Sequence, residues 1–231
     1  MCGRFTQTQS WQEVWQFMQP LPLVGPEQLL PPSFNLAPSQ RAYVIAGDVQ
    51  TGLGFATPTW GLLPSWAKDS TLPRQINARA ETVAEKPYFR SAYRHTRCLV
   101  PVAGWYEWKQ TAAGKQPWYL TSVDARPLLL AGLVSDWHAG AGDHEQTFAI
   151  LTTTANASAA RVHERMPVVL SAAEAPIWLD HQNGSGKQAL PWLAPCPDAW
   201  IRAWPVSNAV NTPRNNEARL LDPVAPLDTV L

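Results

Sequence analysis

Cysteine is scarce in this sequence, with three residues in 231, at positions 2, 98 and 196. The number is odd and no two fall in a CxxC spacing, which argues against a disulfide scaffold or a zinc centre and for a reducing compartment. Net charge is also missing: 18 Lys and Arg balance 18 Asp and Glu. A wholly basic nucleic-acid surface is thereby excluded, although a local patch is not. No apolar run approaches the ~18 residues a membrane helix needs. The N-terminal region lacks a basic stretch followed by an apolar one, so no signal peptide is expected. Without repeats, low-complexity tracts or a linker-like shift in composition, a single domain over 1–231 is expected, with its core at about 2–216 and a tail at 217–231. The protein is expected to be a cytoplasmic monomer without metal or cofactor.

Aromatic residues and proline are abundant, with 12 Trp and 22 Pro. So many prolines imply many turns and short elements. Among the cations, 13 are Arg and 5 are Lys. Arg presents a planar fork that matches phosphate and carboxylate, which hints at specific anion contacts.

Ser10–Met18 reads as a short helix, with Ser10 and Glu13 as a capping box and Trp11, Val14, Trp15 and Met18 as its apolar stripe. Proline-rich, irregular chain follows to residue 40. "RAYVIAG" reads as a strand with a partner in "GFATPTWGLLPSW", and the chain from Pro87 turns helical, placing Tyr88, Ala92 and Tyr93 on one face. Strands then follow in close succession: "RCLVPVAGWYEWKQ", a turn at "TAAGKQ", "PWYLTSV", "RPLLLAGLVSDW" and "TFAILTTTA". A helix over Ser158–His163, the strand "MPVVLS", short helices at "AAEAPIWLDH" and "GKQALPWLA", and a last strand "AWIRAWPVS" complete the reading. The fold class is α+β, a curled antiparallel sheet approaching a barrel with short peripheral helices.

Four positions could carry chemistry, and each also has a plainer reading. Cys2 becomes the N-terminal residue if Met1 is trimmed, and then carries an amine and a thiol on adjacent carbons. With ordinary pKa values of about 8 and about 8.5, both would be partly nucleophilic at neutral pH. The pair can close a thiazolidine on an aldehyde; the plainer reading is a small buried residue. Asn77, in "INARAET", can orient a nucleophile or a hydroxyl, or can simply cap a turn. Glu107, in "GWYEWK", shares a strand face with Trp105, while Tyr106 and Trp108 take the other. Among aromatics its pKa would rise toward the working range of a general acid or base; on a solvated face it would not. His163, in "VHERMP", is either a proton-transfer group or a structural histidine, and no two histidines show metal spacing. Arg165 beside it could meet a phosphate or hold Glu164.

A basic patch spans Arg74–Arg97, where six Lys and Arg against two Glu leave about +4. It lies beside Tyr88, Phe89, Tyr93 and the upstream Trp66, the combination that holds single strands without reading their sequence. An amphipathic helix with a solvated basic face is the alternative.

Taken together, "MCGRF", "FNLAPSQ", "WGLLPSW", "INARAET", "CLVPVAGWYEWK", "KQPWYL", "AGLVSDW", "FAILTTTAN" and "HERMPVVL" are similar, in order, to the SOS-response-associated peptidase family. The resemblance runs from Cys2 to about Asn216. It implies a DNA-damage protein that senses abasic sites in single-stranded DNA and crosslinks to them covalently, protecting the lesion. Cys2 would be the nucleophile, Asn77 the orienting group, Glu107 the general acid/base, and His163 the assistant to ring opening. The same resemblance implies DNA contacts at Arg4, Asn35, Pro38, Arg79, Thr152 and Arg165, with Trp66 at the strand junction. Arg90 is added from charge and spacing. Some relatives carry two consecutive tryptophans where this chain has Trp66–Ala67. The family name also points to a peptidase-like leader cleavage, alongside a lyase-type activity; here only Met1 precedes Cys2, so methionine removal suffices. The rival readings are an N-terminal-nucleophile amidohydrolase or cysteine peptidase, for which a serine at position 2 would retain activity, and a non-catalytic single-strand-binding module, for which Cys2 would be dispensable.

Overall fold

The computed structural model describes residues 2–139, 143–181 and 187–224. Two open sheets organise the chain, which is α+β as expected and not closed into a barrel. The smaller has five strands in the order Ile201–Pro205, Gly114–Ser122, Gly104–Thr111, Phe5–Gln7 and Ser33–Leu36, all antiparallel. The larger runs Arg165–Pro167, Asp143–Thr154, Leu128–Ala139, Arg97–Val102, Val44–Asp48, Gly52–Ala56 and Leu23–Val24. Val169–Leu170, Thr59–Trp60 and Asn77–Arg79 add to it off this path.

The expected continuous run at 97–110 is broken at Ala103, where the chain leaves the large sheet and enters the small one. Gly104 makes that passage possible. A Cβ there would lie 2.4 Å from the Leu120 carbonyl oxygen and 2.6 Å from the Tyr119 hydroxyl. Any larger residue would push the two strands apart.

Strand alternation divides the apolar residues between two layers. Leu129, Ala131 and Leu133 face a core under the helices with Val14, Met18, Tyr93 and Trp178. Leu128, Leu130 and Val134 face the space between the sheets, with Phe5, Trp60, Trp105 and Phe148. The large sheet is therefore covered on both faces, which is why "RPLLLAGLV" is apolar without alternation. The small sheet is covered on its outer face too, where Tyr106 and Tyr119 pack with Val206, Val210 and Leu220. Residues 217–224 thus pack onto the domain rather than trailing from it, with Trp204 Nε1 donating to the Leu221 carbonyl at 2.7 Å. Residues 225–231 lie outside the described residues.

The first helix, Trp11–Phe17, has the expected capping box: Ser10 N donates to Glu13 Oε2 at 2.7 Å and Glu13 N to Ser10 Oγ at 3.2 Å. Val14 and Met18 are buried, whereas Trp15 is exposed and lies off the core-facing stripe. The helix expected over Ser158–His163 is the shorter Ala157–Ala160, started by the Asn156 cap, with Val162 N and His163 N both turning to the Ala159 carbonyl after it. "MPVVLS" splits around Val168 into two short strands. The helix expected at "GKQALPWLA" is a 3-10 helix, Lys187–Leu193, with Gly186 outside the described residues. No described helix is long and apolar enough to cross a membrane.

Helix Arg90–His95 is fastened by Arg97, which the sequence counted into the basic patch. Arg97 is 2% exposed and lies between the rings of Tyr93 and Trp178. It donates to the carbonyls of Trp178 at 2.6 Å and Tyr93 at 2.8 Å, and to that of Asp180. Burial pulls its pKa below the usual arginine value. Replacing it with methionine would leave those carbonyls without donors. Arg97→Met is expected to cost about 2–4 kcal/mol, read as a lower urea midpoint at unchanged slope.

Candidate functional site

Four segments far apart in sequence meet around Cys2 and Glu107, at the core between the sheets. Phe5 pairs with Trp105 and Thr6 with Gly104, while Tyr106 N donates to the Arg4 carbonyl at 3.0 Å. That register lays the N-terminal residues along Gly104–Thr111. Asn77 arrives on a three-residue strand running parallel to Asp143–Thr154, with Asn77 opposite Ile150 and Arg79 opposite Thr152. His163 arrives on the loop after Ala157–Ala160.

Cys2 is 0% exposed and lies among Phe5, Trp105 and Trp118, so it is not the open terminal residue that its position suggested. Asn77 Nδ2 donates to its carbonyl at 2.8 Å, and its Sγ donates weakly to the Arg4 carbonyl at 3.9 Å. Burial, reinforced by the negative charge of Glu107, pushes the thiol pKa well above the ordinary cysteine value. Asn77 Oδ1 is buried and has no hydrogen-bond partner among the described residues, which leaves one acceptor beside Cys2.

Glu107 is 3% exposed, and the solvated-face alternative is ruled out. Burial raises its pKa, partly opposed by the His163 charge. Glu107 is thus the group through which Cys2 and His163 are linked electrostatically. His163 Nδ1 accepts the Arg165 backbone N–H at 3.0 Å. With that nitrogen accepting, the neutral imidazole keeps its proton on Nε2, where it can donate.

The expected DNA contacts divide into two groups. Arg79, Arg90 and Trp66 are exposed, Trp66 to 53%, and Pro38 is partly so. Pro38 is presented by a tight turn in which Ser39 takes a left-handed φ of 70°. Trp66, Arg90, Arg94 and His95 line one groove. Ala67, by contrast, is buried, and its carbonyl accepts Trp137 Nε1 at 2.8 Å. The remaining contacts are engaged within the protein. Asn35 is buried, accepts from Arg4 Nη1 at 2.7 Å, and donates to the carbonyls of Val210, Thr212 and Asn215. Its side chain anchors Arg4 and the 210–215 segment. Thr152 is fully buried, and its carbonyl accepts Arg165 Nη2 at 2.7 Å. Arg165 holds Glu81, not Glu164, through Nη2 to Oε2 at 2.9 Å and Nη1 to Oε1 at 2.5 Å. Arg74 is likewise paired with Glu145 at 2.6 Å, so the basic patch is smaller than its formal charge. Cys98 and Cys196 are free and buried.

Two further features had no signal in the sequence: the Arg4–Asn35 pair and the Arg165–Glu81 pair. Both join residues that local pattern cannot connect.

Residues 1–213 match the family described as SOS response associated peptidase (SRAP). The chain is 35% identical to abasic site processing protein YoaM of Bacillus subtilis over 96% of its own length and 98% of that relative. It is 32% identical to abasic site processing protein YedK of Escherichia coli, covering 97% and 100%. Among solved structures, a Bacteroides thetaiotaomicron protein superposes with a TM-score of 0.77 at 25% identity, covering 94% of this chain and 92% of that one. A phage-related protein from Bordetella bronchiseptica superposes with a TM-score of 0.70 at 30% identity, covering 89% and 94%.

Proposed function

Because the chain belongs to the SOS response associated peptidase (SRAP) family, we propose that it processes abasic sites in single-stranded DNA through a covalent thiazolidine crosslink at Cys2. Met1 removal exposes the Cys2 amine. Relatives named for abasic-site processing supply the substrate class. The observation that carries the chemistry is the bond from Asn77 Nδ2 to the Cys2 carbonyl, which holds residue 2 against Glu107.

The open form of an abasic sugar is an aldehyde at C1′. The Cys2 amine adds to that carbon, giving a carbinolamine. Glu107, whose proton affinity burial raises, protonates the departing hydroxyl, and water leaves to give an imine. The Cys2 S–H then adds across C=N: sulfur bonds to C1′, the proton passes through the Glu107 carboxylate to nitrogen, and a five-membered ring closes. The net change is loss of one water, with no oxidant or irreversible leaving group. His163 Nε2–H assists ring opening by donating to the ring oxygen, and Asn77 Oδ1 accepts from the amine or a sugar hydroxyl. Arg79, Arg90 and Trp66 hold the flanking strand, while Arg4, Asn35, Thr152 and Arg165 shape the pocket from behind. The protein acts as a monomer, since one site suffices.

The test is incubation with a single-stranded oligonucleotide bearing one abasic site, followed by a denaturing gel and intact mass. A heat-stable shifted band whose mass equals protein without Met1 plus DNA minus one water supports the reading. No band from protein confirmed to lack Met1 would overturn it.

A further inference from the structure

Strand alternation puts Trp105, Glu107 and Lys109 on the same face of Gly104–Thr111, with successive side chains about 7 Å apart. Trp118 stands directly opposite Glu107 on the neighbouring strand, and Gln116 opposite Lys109. The N-terminal chain runs antiparallel to this strand, from Thr6 opposite Gly104 to Phe5 opposite Trp105 and onward in that direction. Lys109 therefore lies past Glu107 along the strand, on the side from which the N-terminal chain arrives.

The ammonium of Lys109 sits 5.5 Å from the centre of the Trp118 ring. It is partly buried, yet among the described residues it has neither a hydrogen bond nor an ion pair. Gln116, opposite Lys109 in register, turns its Nε2 to the carbonyls of Pro117 at 2.9 Å and Val206 at 2.8 Å. Glu107, the carboxyl on the same face, is held toward its neutral form by burial. A cation kept in place by an indole, one strand step from the reacting group and without a protein anion, is set for an anion from outside.

We propose that Lys109, held over Trp118, contacts the backbone phosphate next to the lesion sugar and so sets the lesion's register over Cys2. The assignment rests on the abasic-site reading above. It makes Lys109 a substrate-contacting residue that acts in binding and does not transfer protons.

The probe is a single-stranded oligonucleotide containing one tetrahydrofuran abasic analogue, which has no aldehyde and cannot crosslink. Its affinity is measured by fluorescence anisotropy from low to moderate salt. Lys109→Gln is expected to weaken binding roughly tenfold at low salt. The slope of log affinity against log salt should fall by about 0.7, one single-strand phosphate contact. Lys109→Arg should retain most of both, which separates lost charge from a folding defect. With an aldehyde-bearing oligonucleotide below saturation, the crosslinking rate of Lys109→Gln should fall by the same factor as the affinity. An unchanged salt slope in Lys109→Gln overturns the proposal, and so does a crosslinking loss without an affinity loss, which would place Lys109 in the chemistry. If wild-type protein binds the analogue but never crosslinks the aldehyde, the crosslinking reading fails while the phosphate contact stands.

Discussion

Cys2→Ser is expected to abolish the heat-stable adduct with abasic DNA, a loss of about 10³-fold or more, the scale on which removing a catalytic nucleophile acts. The variant keeps its N-terminal amine, so it still forms an imine with the aldehyde. It lacks the sulfur that closes a stable ring, and the imine hydrolyses on denaturation. Borohydride added during the reaction should reduce that imine and restore a shifted band, for Cys2→Ser and Cys2→Ala alike. Wild-type protein should need no borohydride. The alanine variant also controls for folding, because Cys2 is fully enclosed by apolar neighbours and a serine hydroxyl there costs about 1–3 kcal/mol unless it finds a partner. A serine variant with a wild-type yield of heat-stable adduct would sink the thiazolidine chemistry. Turnover of an amide by Cys2→Ser would instead favour an amidohydrolase.

How far the site could be read in the sequence depended on whether each signal was local. The capping box of Ser10 and Glu13 lies within four residues, and the hairpin at Thr111–Gly114 within a few more; both appear where expected. Glu107 between Trp105 and Trp108 announced its environment through its own neighbours, and it is buried accordingly. Asn77 was visible as a residue but not as a strand residue. The partner that makes Asn77–Arg79 a strand is the segment Ile150–Thr152, more than seventy residues away and parallel to it. Nothing in three residues encodes such a pairing. The same limit misplaced Arg97 and Asn35. Each carries polar groups that usually mark a surface, and each is buried because distant carbonyls converge on it. Arg97 was counted as patch charge, but it fixes the helix that presents Arg90 and Arg94. Chain ends usually fray, but here the register of Phe5 with Trp105 carries the start of the chain into the core, and Cys2 is the buried residue of its plainer reading.

Glu107→Gln is expected to slow crosslinking by about 10²–10⁴-fold, the usual contribution of a positioned general acid/base. The substitution preserves size and hydrogen-bonding shape but can neither give nor take a proton. Stability should move the other way. Burial raises the Glu107 pKa, so the folded protein binds that proton more tightly than the unfolded chain does. The stabilisation is full below the unfolded value of about 4.3 and is lost as pH rises through the raised folded value. Glutamine remains neutral throughout and escapes this loss. The melting temperature of Glu107→Gln should therefore exceed that of wild type at alkaline pH and converge with it at acidic pH. The limb of the wild-type pH–rate profile that reports Glu107 should vanish in the variant. A crosslinking rate within threefold of wild type would remove Glu107 from the chemistry. A melting difference that does not vary with pH would mean that the fold does not raise the pKa of this carboxyl. The two measurements together test one physical claim: the site keeps a destabilising carboxyl buried beside Cys2 because the reaction needs its proton there.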